Sequence, residues 1–227
     1  MVLIGISGLI GSGKGAVADI LVDQYGFTKM SFADSLKDAT SAIFGWPRHL
    51  LEGDTVESRE FRETVDPLWT SNMKDRWSEV TPRLILQKIG TEAMRDGIHQ
   101  DIWIHSLHKK LMESKFQNFV IPDVRFHNEF SFIRKMGGFN VRVKKGKDPS
   151  WFYTACMQNS LGRTNQWDMN RDFSDVHVSE WASVGEKVDI VIENDGTLED
   201  LPGKLEKKFA DIGSILQKKG IDYLHLL

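Results

Sequence analysis

The feature that most constrains the fold of this chain is an apolar run that leads directly into a glycine-rich turn and then into a helical pattern. Val2 to Ile6 favours a buried strand, and apolar residues recur at helical spacing between Lys14 and Tyr25. Between them, Gly8-x-x-x-x-Gly13-Lys14 has the spacing of a phosphate-binding loop. Glycines let several backbone N–H groups point at one phosphate, and the positive end of the helix dipole attracts it. We therefore predict a nucleotide-binding loop.

The residue after the loop lysine narrows the class of nucleotide-binding protein. Gly15 stands where GTPases and motor-type ATPases place a Ser or Thr that binds magnesium, and Ala16 follows it. Small-substrate kinases can hold magnesium mainly through phosphates and water. The pattern therefore favours a kinase of a small substrate over a GTPase or a motor ATPase.

Composition sets limits on compartment and partners. The chain has 227 residues, enough for one substantial domain, and a formal net charge of −3, which gives no overall attraction to nucleic acid or anionic lipid. Its single cysteine, Cys156, cannot form a disulfide within the chain. The apolar N-terminal run is too short to cross a membrane. These observations predict a cytoplasmic protein without a nucleic-acid or membrane partner.

Strand and helix patterns alternate along the chain, which predicts an α/β domain with a mostly parallel central sheet flanked by helices. Four further segments have strand character, and a strand, helix, strand order over "NFVIPDV", "HNEFSFIRKMGG" and "FNVRVK" implies a parallel crossover. The other strand candidates are Phe27 to Phe32 and "VDIVIEND". A final amphipathic helix is marked by the spacing of Leu205, Phe209, Ile212 and Leu216.

The helix boundaries follow from capping signals. Asp34 or Ser35 is expected to cap a helix that ends near Gly45. In "TPRLILQKIG" we expect Thr81 to be the cap and Gly90 to end the helix, and a further helix is expected from Asp101 to Glu113. Two polar stretches, 48–80 and 145–181, break the pattern and are predicted to be irregular inserts.

Candidate functional side chains lie where strands end. Asp123 and Arg125 follow a buried strand. The aspartate could position magnesium or an attacking phosphate, and the arginine could neutralise charge on the phosphoryl group. The alternative is an ordinary strand-end turn. The turn at Asn194 and Gly196 could lie beside a base, or could simply lead to a helix capped by Thr197.

A helical stretch carries a second group of candidate functional residues, whereas two nearby histidines show no pattern of a metal site. Four polar residues of this stretch could line a phosphate pocket or form a charged helix face, namely Arg83, Gln87, Thr91 and Arg95. His105 and His108 show no metal-ligand spacing, so we expect core or surface positions for them.

The chain resembles the deoxynucleoside monophosphate kinases of tailed bacteriophages, which have the P-loop NMP kinase fold. The likeness covers most of the chain and lies in blocks that occur in matching order: "LIGISGLIGSGKGAVAD", "LKDA", "RLILQKIGTEAMR", "IPDVRFHNE", "DVHVSE" and "IVIENDGTLEDL". The resemblance implies a single P-loop kinase domain over 1–227, with an NMP-binding insert at approximately 34–100 and a lid insert at approximately 145–181.

The same resemblance implies the reaction and the roles of the site residues. The γ-phosphoryl group of ATP, with Mg²⁺, would pass to a deoxynucleoside monophosphate (dNMP). ATP would be held by Gly11, Ser12, Gly13, Lys14, Gly15 and Ala16, with Asn194 and Gly196 near adenine. The dNMP would be bound by Lys37, Arg83, Gln87, Thr91, Arg95 and Arg125. Catalysis would involve Lys14, Asp123 as a magnesium or phosphate-orienting group, Arg125, and the lid cations Arg163 and Arg171.

Some alternatives stay open at this point. A P-loop kinase of another small metabolite, or a nucleotide sensor without phosphoryl transfer, would carry the same loop. The preferred base, the sugar selectivity and the formation of a homodimer are not determined by the pattern. The block "DVHVSE", with Asp175, His177 and Glu180, resembles the exit of the family's lid without a chemical role that we can assign.

Overall fold

The computed structural model describes residues 2–197 and 199–208. Its sheet has five strands in the order β2-β3-β1-β4-β5, and every neighbouring pair is parallel. The strands are β1 (Val2–Ser7), β2 (Thr28–Lys29), β3 (Asn118–Ile121), β4 (Phe139–Lys144) and β5 (Ile190–Glu193). The α/β fold class with a parallel sheet is therefore confirmed.

Ten α-helices have assigned bounds in the described chain. They are α1 (Lys14–Tyr25), α2 (Asp34–Phe44), α3 (Val56–Glu63), α4 (Pro67–Asn72), α5 (Pro82–Gln87), α6 (Ile102–Glu113), α7 (His127–Lys135), α8 (Phe152–Leu161), α9 (Met169–Asp172) and α10 (Val178–Trp181). A 3₁₀ turn covers Arg48–Leu51, a π-helix covers Lys88–Asp96, and residues 201–208 are also helical.

The chain divides into two compact units, residues 1–30 with 115–227 and residues 31–114. The first unit contains the sheet, whose apolar residues, such as Ile4 and Val141, pack with the buried side of α1 and with Leu201 and Leu205. At the centre strand, Gly5 allows close packing, because an added Cβ would lie 2.9 Å from Ile133 Cγ1. The missing side chain at Gly5 thus lets α7, which carries Ile133, pack closely against β1.

The second strand is shorter than predicted, and the last helix agrees with its predicted pattern as far as the structure describes it. The predicted strand Phe27 to Phe32 is too long, since only Thr28–Lys29 pairs, at the sheet edge. Leu205 is buried in the helical segment 201–208, as the amphipathic pattern predicts. The other three positions of that pattern, Phe209, Ile212 and Leu216, lie outside the described residues.

The second unit is helical, and its helix starts follow the capping rules only in part. Thr81 caps α5 by accepting the N–H of Leu84 at 3.2 Å, as predicted. The predicted cap of α2 is wrong: Ala33 is the N-cap, while the Asp34 side chain lies in the first turn and accepts the N–H of Ser31 at 2.9 Å. The carboxylate thus stabilises the turn before the helix instead of the helix N–H groups.

Gly90 does not end a helix, contrary to the prediction, because the chain continues from α5 into the π-helix. An added Cβ at Gly90 would lie 2.9 Å from Leu36 Cδ2 on α2. Its carbonyl also accepts the indole N–H of Trp103 at 2.8 Å. Glycine is therefore explained here by the close approach of neighbouring helices, and not by a C-cap.

The prediction that 48–80 and 145–181 are irregular is also wrong. In the first stretch, Thr55 caps α3 and Asp66 caps α4, where Pro67 occupies the first helical position. In the second stretch, α8 to α10 surround a small cluster of their own, formed by Ala155, Met169, Trp181 and Val184. Most of these helices are too short for a helical period of apolar residues to be recognised. The sequence of both stretches therefore lacks a visible helical pattern. Within the described residues, no helix has both the length and the apolar character that crossing a membrane requires.

Candidate nucleotide-binding site

The glycine loop joins β1 to α1 in a conformation that needs its glycines. Gly8, Gly11 and Gly13 have φ angles of 144°, 75° and 96°, which other L-residues rarely adopt. At Gly8 an added Cβ would also lie 2.3 Å from the carbonyl oxygen of Val143 on β4. Gly13 is the N-cap of α1, so the backbone N–H groups of the first helical turn open toward the loop. The loop therefore has the backbone of an anion-binding site.

Asn194, the first residue after the edge strand β5, holds this loop in place. The Asn194 side chain is buried, and its Nδ2 donates a hydrogen bond to the carbonyl of Ser12 at 3.0 Å. An added Cβ at Gly13 would lie 2.2 Å from the same nitrogen. The amide of Asn194 therefore packs directly against the phosphate loop, at a position where only glycine leaves room for it.

Two polar side chains of the loop, Ser12 and Lys14, could form hydrogen bonds with a bound ligand. The hydroxyl of Ser12 is buried and has no hydrogen-bond partner within the part of the chain that the structure describes. The Lys14 Nζ donates to the carbonyls of Gly8 and Leu9 at 2.8 and 2.9 Å. Phosphate oxygens are better acceptors for an ammonium group than carbonyls, since they carry charge. Lys14 can thus exchange loop carbonyls for phosphate.

Charged groups from separate segments meet around Lys14. The pKa of Lys14 is lowered to about 8, first by burial and then by the positive charge of Arg125, while Glu180 and Asp123 act in the opposite direction. Three of the sequence-predicted residues, Lys14, Asp123 and Arg125, are therefore brought together at the loop. An anionic ligand would relieve the repulsion between the two cations.

Arg125 is held at the strand end by a glutamate without a predicted role. Glu129 is buried, and its Oε2 accepts the backbone N–H groups of Arg125 at 2.6 Å and Phe126 at 3.0 Å. The guanidinium Nη1 lies 3.5 Å from Glu180 Oε1, with 38% of the arginine side chain exposed. Glu129 occupies the N3 position of α7, where a glutamate is a known capping signal. Because the N-cap is Phe126 and not Ser, Thr, Asp or Asn, the sequence shows only the glutamate half of this signal.

Glu180, which the sequence left without a role, is the counter-ion of the cations at the loop. It lies in α10, and 15% of its side chain is exposed. It acts on Lys14 as well as on Arg125. The sequence carries no signal for this, because α10 reaches the loop only through the tertiary fold.

The predicted lid cations are engaged with carboxylates of their own region. Arg163 Nε lies 2.7 Å from Asp168 Oδ2, and Arg171 lies 2.6 Å from Asp172. More than half of the Arg163 side chain and about half of the Arg171 side chain are exposed. Both guanidinium groups are thus accessible, and the charges that act on Lys14 come from Arg125, Glu180 and Asp123 instead.

The turn after β5, which we predicted to lie beside the nucleotide base, is held by hydrogen bonds of its own residues. Asp195 Oδ1 accepts the N–H of Gly146 at 2.7 Å. Thr197 and Asp200 form reciprocal hydrogen bonds, since Asp200 Oδ2 accepts the Thr197 N–H at 2.9 Å and Thr197 Oγ1 accepts the Asp200 N–H at 3.3 Å. Thr197 and Asp200 therefore stabilise the turn that precedes the helical segment 201–208. Gly196 is exposed in this turn and accessible to a ligand.

The remaining predicted residues belong to the unit 31–114. Lys37 Nζ lies 2.5 Å from Glu52 Oε2, and Arg83 Nη1 lies 2.7 Å from Glu63 Oε1. Arg95 is buried, and its Nη1 donates to the carbonyl of Gln100 at 3.0 Å. Gln87 and Thr91 are half-buried on the helical stretch between Arg83 and Arg95. The structure therefore places four of these residues along one helical segment, with Lys37 on α2, which packs against it.

Comparison with known proteins gives a consistent result. The family model "Deoxynucleotide monophosphate kinase" matches residues 48–150. A protein of Acanthamoeba polyphaga mimivirus, provisionally named a deoxynucleotide monophosphate kinase, is 37% identical over 157 residues, which cover 64% of this chain and 75% of that protein. The deoxynucleoside-5'-monophosphate kinase of Escherichia phage T5 is 25% identical over 181 residues, covering 59% and 72%.

Among solved structures, a gluconokinase from Sinorhizobium meliloti aligns with a TM-score of 0.44 and 14% identity, covering 96% of this chain and 97% of that one. The stronger result is the mimivirus relative, three quarters of which aligns at 37% identity. That agreement, together with the glycine loop and its lysine, shows that the chain belongs to the deoxynucleotide monophosphate kinase family.

Proposed function

We propose that this kinase transfers the γ-phosphoryl group of ATP to the 5'-phosphate of a deoxynucleoside monophosphate. An acceptor phosphate oxygen forms a bond to the γ-phosphorus, and the bond from that phosphorus to the β–γ bridging oxygen breaks, which releases ADP and leaves a deoxynucleoside diphosphate. The acceptor is already an anion at neutral pH, so no strong general base is needed. Alignment and charge neutralisation supply most of the catalysis.

The convergence of Lys14 and Arg125 at the glycine loop is the observation that carries this proposal. The loop from Gly11 to Ala16 would hold the ATP phosphates through its N–H groups, and the buried Ser12 hydroxyl, which has no partner in the described chain, would gain one. Lys14 would leave the carbonyls of Gly8 and Leu9 for the outer phosphates. Arg125 would bridge the donor and acceptor phosphates.

The residues at this site fit a magnesium ion held mainly by phosphates and water. Mg²⁺ prefers oxygen ligands and usually takes only one or two carboxylates from the protein. Asp123 supplies such a carboxylate near Lys14, while Gly15 and Ala16 have no hydroxyl to offer. When bound, Mg²⁺ would neutralise phosphate charge. Asp123 would orient it, directly or through water.

The acceptor nucleotide would bind the unit 31–114. Its phosphate would be held by the cations Lys37, Arg83 and Arg95. Each of these side chains now contacts a carboxylate or a carbonyl, and the phosphate would replace that group or bind beside it. Gln87 and Thr91 would hydrogen-bond the base or the sugar. With the amide of Asn194 against Ser12, the exposed Gly196 would lie beside the adenine of ATP.

Residues 145–181 would act as the lid, in the cytoplasm where the nucleotide substrates occur, or in the host cytoplasm if the chain is phage-encoded. Arg163 and Arg171 are exposed enough to exchange Asp168 and Asp172 for phosphate oxygens. An anionic transition state would attract both guanidinium groups. Closure over the ligands would also keep water from hydrolysing ATP.

The direct test is ADP release from ATP and Mg²⁺ with a panel of acceptors. We expect release with at least one of dGMP, dTMP, dCMP and dAMP and none without an acceptor. The ribose counterparts, run in parallel, measure how strongly the 2'-hydroxyl is rejected. Failure of every deoxynucleotide to stimulate ADP release would contradict the proposal and favour another small-metabolite acceptor or a sensor.

The affinity for ATP should decrease as the pH rises through the pKa of Lys14. This pKa is about 8 in the free protein, and bound phosphates should raise it, so ATP binds the protonated form. We expect ATP to bind about tenfold more weakly at pH 9 than at pH 7, because one pKa unit corresponds to a tenfold change in the equilibrium. Titration calorimetry with a non-hydrolysable ATP analogue at each pH measures this change. The Lys14→Met variant should bind weakly at both pH values, and an equally strong pH dependence in it would assign the effect to another group.

A further inference from the structure

Three potential metal ligands lie together at the start of α6, in the unit 31–114. His99, Asp101 and His105 each offer one ligand atom, and these atoms all lie within 4.8 Å of one another. The two imidazole ring centroids are 5.3 Å apart. Both histidines are exposed, so a solvated ion can reach them. None of the three residues has a role in the proposed phosphoryl transfer.

The backbone that carries this cluster is well defined by hydrogen bonds. The N–H groups of Ile98 and His99 both donate to the carbonyl of Met94, at 3.1 and 3.0 Å. The next residue, Gln100, is held through its carbonyl by Arg95. Asp101 is the N-cap of α6, and its carbonyl accepts the N–H of His105 at 2.9 Å. The cluster therefore joins a braced loop to the first turn of a helix.

We propose that His99, Asp101 and His105 form a binding site for a divalent transition metal ion, with Zn²⁺ as the best fit. Two imidazoles and one carboxylate are typical ligands of zinc and its neighbours, whereas Mg²⁺ and Ca²⁺ prefer oxygen ligands alone. This site therefore differs in chemistry from the magnesium that accompanies ATP. Three protein ligands leave the fourth tetrahedral position to water.

Metal binding needs a small rearrangement of side chains. Bonds of about 2.0 to 2.2 Å in a tetrahedral arrangement put neighbouring ligand atoms roughly 3.4 Å apart, so no pair has to close by more than about 1.4 Å. Rotation of exposed imidazoles can supply this movement. His99 Nδ1 accepts the N–H of Asp101 at 3.0 Å, and a neutral imidazole has one free nitrogen lone pair. Coordination would therefore replace this hydrogen bond, and it would pin the loop that also braces Arg95.

The experiment titrates metal into the chelator-treated full-length protein in the presence of excess Mg²⁺ and without nucleotide. We expect calorimetry to show one Zn²⁺ bound per chain. Co²⁺ should give the visible absorption of a tetrahedral site, which Zn²⁺ then abolishes. The variants His99→Ala and His105→Ala should each bind Zn²⁺ at least about tenfold more weakly and lose the Co²⁺ absorption.

His108→Ala is the matched control, since it removes a histidine from the same helix outside the cluster. It should bind Zn²⁺ with the wild-type stoichiometry and affinity, and circular dichroism of all variants shows whether the helix content of the protein is retained. No Zn²⁺ binding to the wild-type protein, or equal binding by the His99 and His105 variants, would overturn the proposal. Because no nucleotide is present, these outcomes are independent of the kinase assay.

Discussion

Replacing Lys14 with alanine is expected to lower kcat/KM for phosphoryl transfer by about a hundredfold to a thousandfold, the loss typical of a single removed transition-state donor. Lys14 Nζ donates its hydrogen bonds to the loop carbonyls of Gly8 and Leu9, so its side chain is available to phosphate and is not needed for the core. The fold should survive. Steady-state ADP release with the preferred deoxynucleotide measures the loss, and thermal unfolding measures the stability.

The matched control for this substitution is Lys29→Ala. Lys29 lies on the edge strand β2 and pairs with Asp19 at 3.0 Å, with both side chains well exposed. Its removal deletes the same charge without changing the loop, and surface pairs of this kind contribute little to stability. Activity near the wild-type level in Lys14→Ala would remove the glycine loop's lysine from the mechanism. Equal losses in the two variants would indicate a general charge effect.

Replacing Arg125 with alanine should lower kcat about a thousandfold while changing the affinity for ATP only slightly. An arginine that stabilises charge on the transferring phosphoryl group acts mainly in the transition state. The side chain is partly exposed and its backbone is fixed by Glu129, so truncation removes the guanidinium without disturbing the turn. Separate measurements of kcat and of ATP binding distinguish the two effects.

Two further variants sharpen this test. Arg125→Lys keeps the charge but loses the planar fork that binds phosphate at two points, and it should recover only part of the activity. Arg134→Ala is the matched control. Arg134 lies in α7, near its C-terminal end, so this variant removes an arginine away from the loop and should leave kcat close to the wild-type value. An Arg125→Ala variant with normal kcat and a raised KM would make this residue a ground-state binding group.

The strand, loop and helix around Lys14 could be predicted from the sequence because their signals are local. A β-favouring run, glycines at fixed spacing and a helical period follow each other within a short segment. The same locality explains the correct prediction of α6 and of the Thr81 cap. Parallel pairing of the strands follows from their alternation with helices.

Other features depend on tertiary contacts that leave no local pattern. Gly90 has the appearance of a helix stop, yet it serves the approach of Leu36. Asn194 has the appearance of a turn residue, yet its amide holds the carbonyl of Ser12, 182 positions away. Glu180 reaches Arg125 across 55 positions. Side chains that act over such distances in the chain can be placed only once the strands and helices are packed.

The change from α5 to the π-helix has a consequence for Arg83, Gln87, Thr91 and Arg95, which are spaced four residues apart. In an α-helix, with 3.6 residues per turn, each four-residue step overshoots a full rotation by about 40°, so three steps would carry the last side chain about 120° around the axis. A π-helix winds more slowly, because its hydrogen bonds run from i to i+5, and there a four-residue step falls short of a full rotation. The overshoot between Arg83 and Gln87 is therefore reversed over Lys88–Asp96. On this geometry we expect the four polar side chains to lie nearly in line along the axis, whereas an ordinary α-helix would twist them into a spiral.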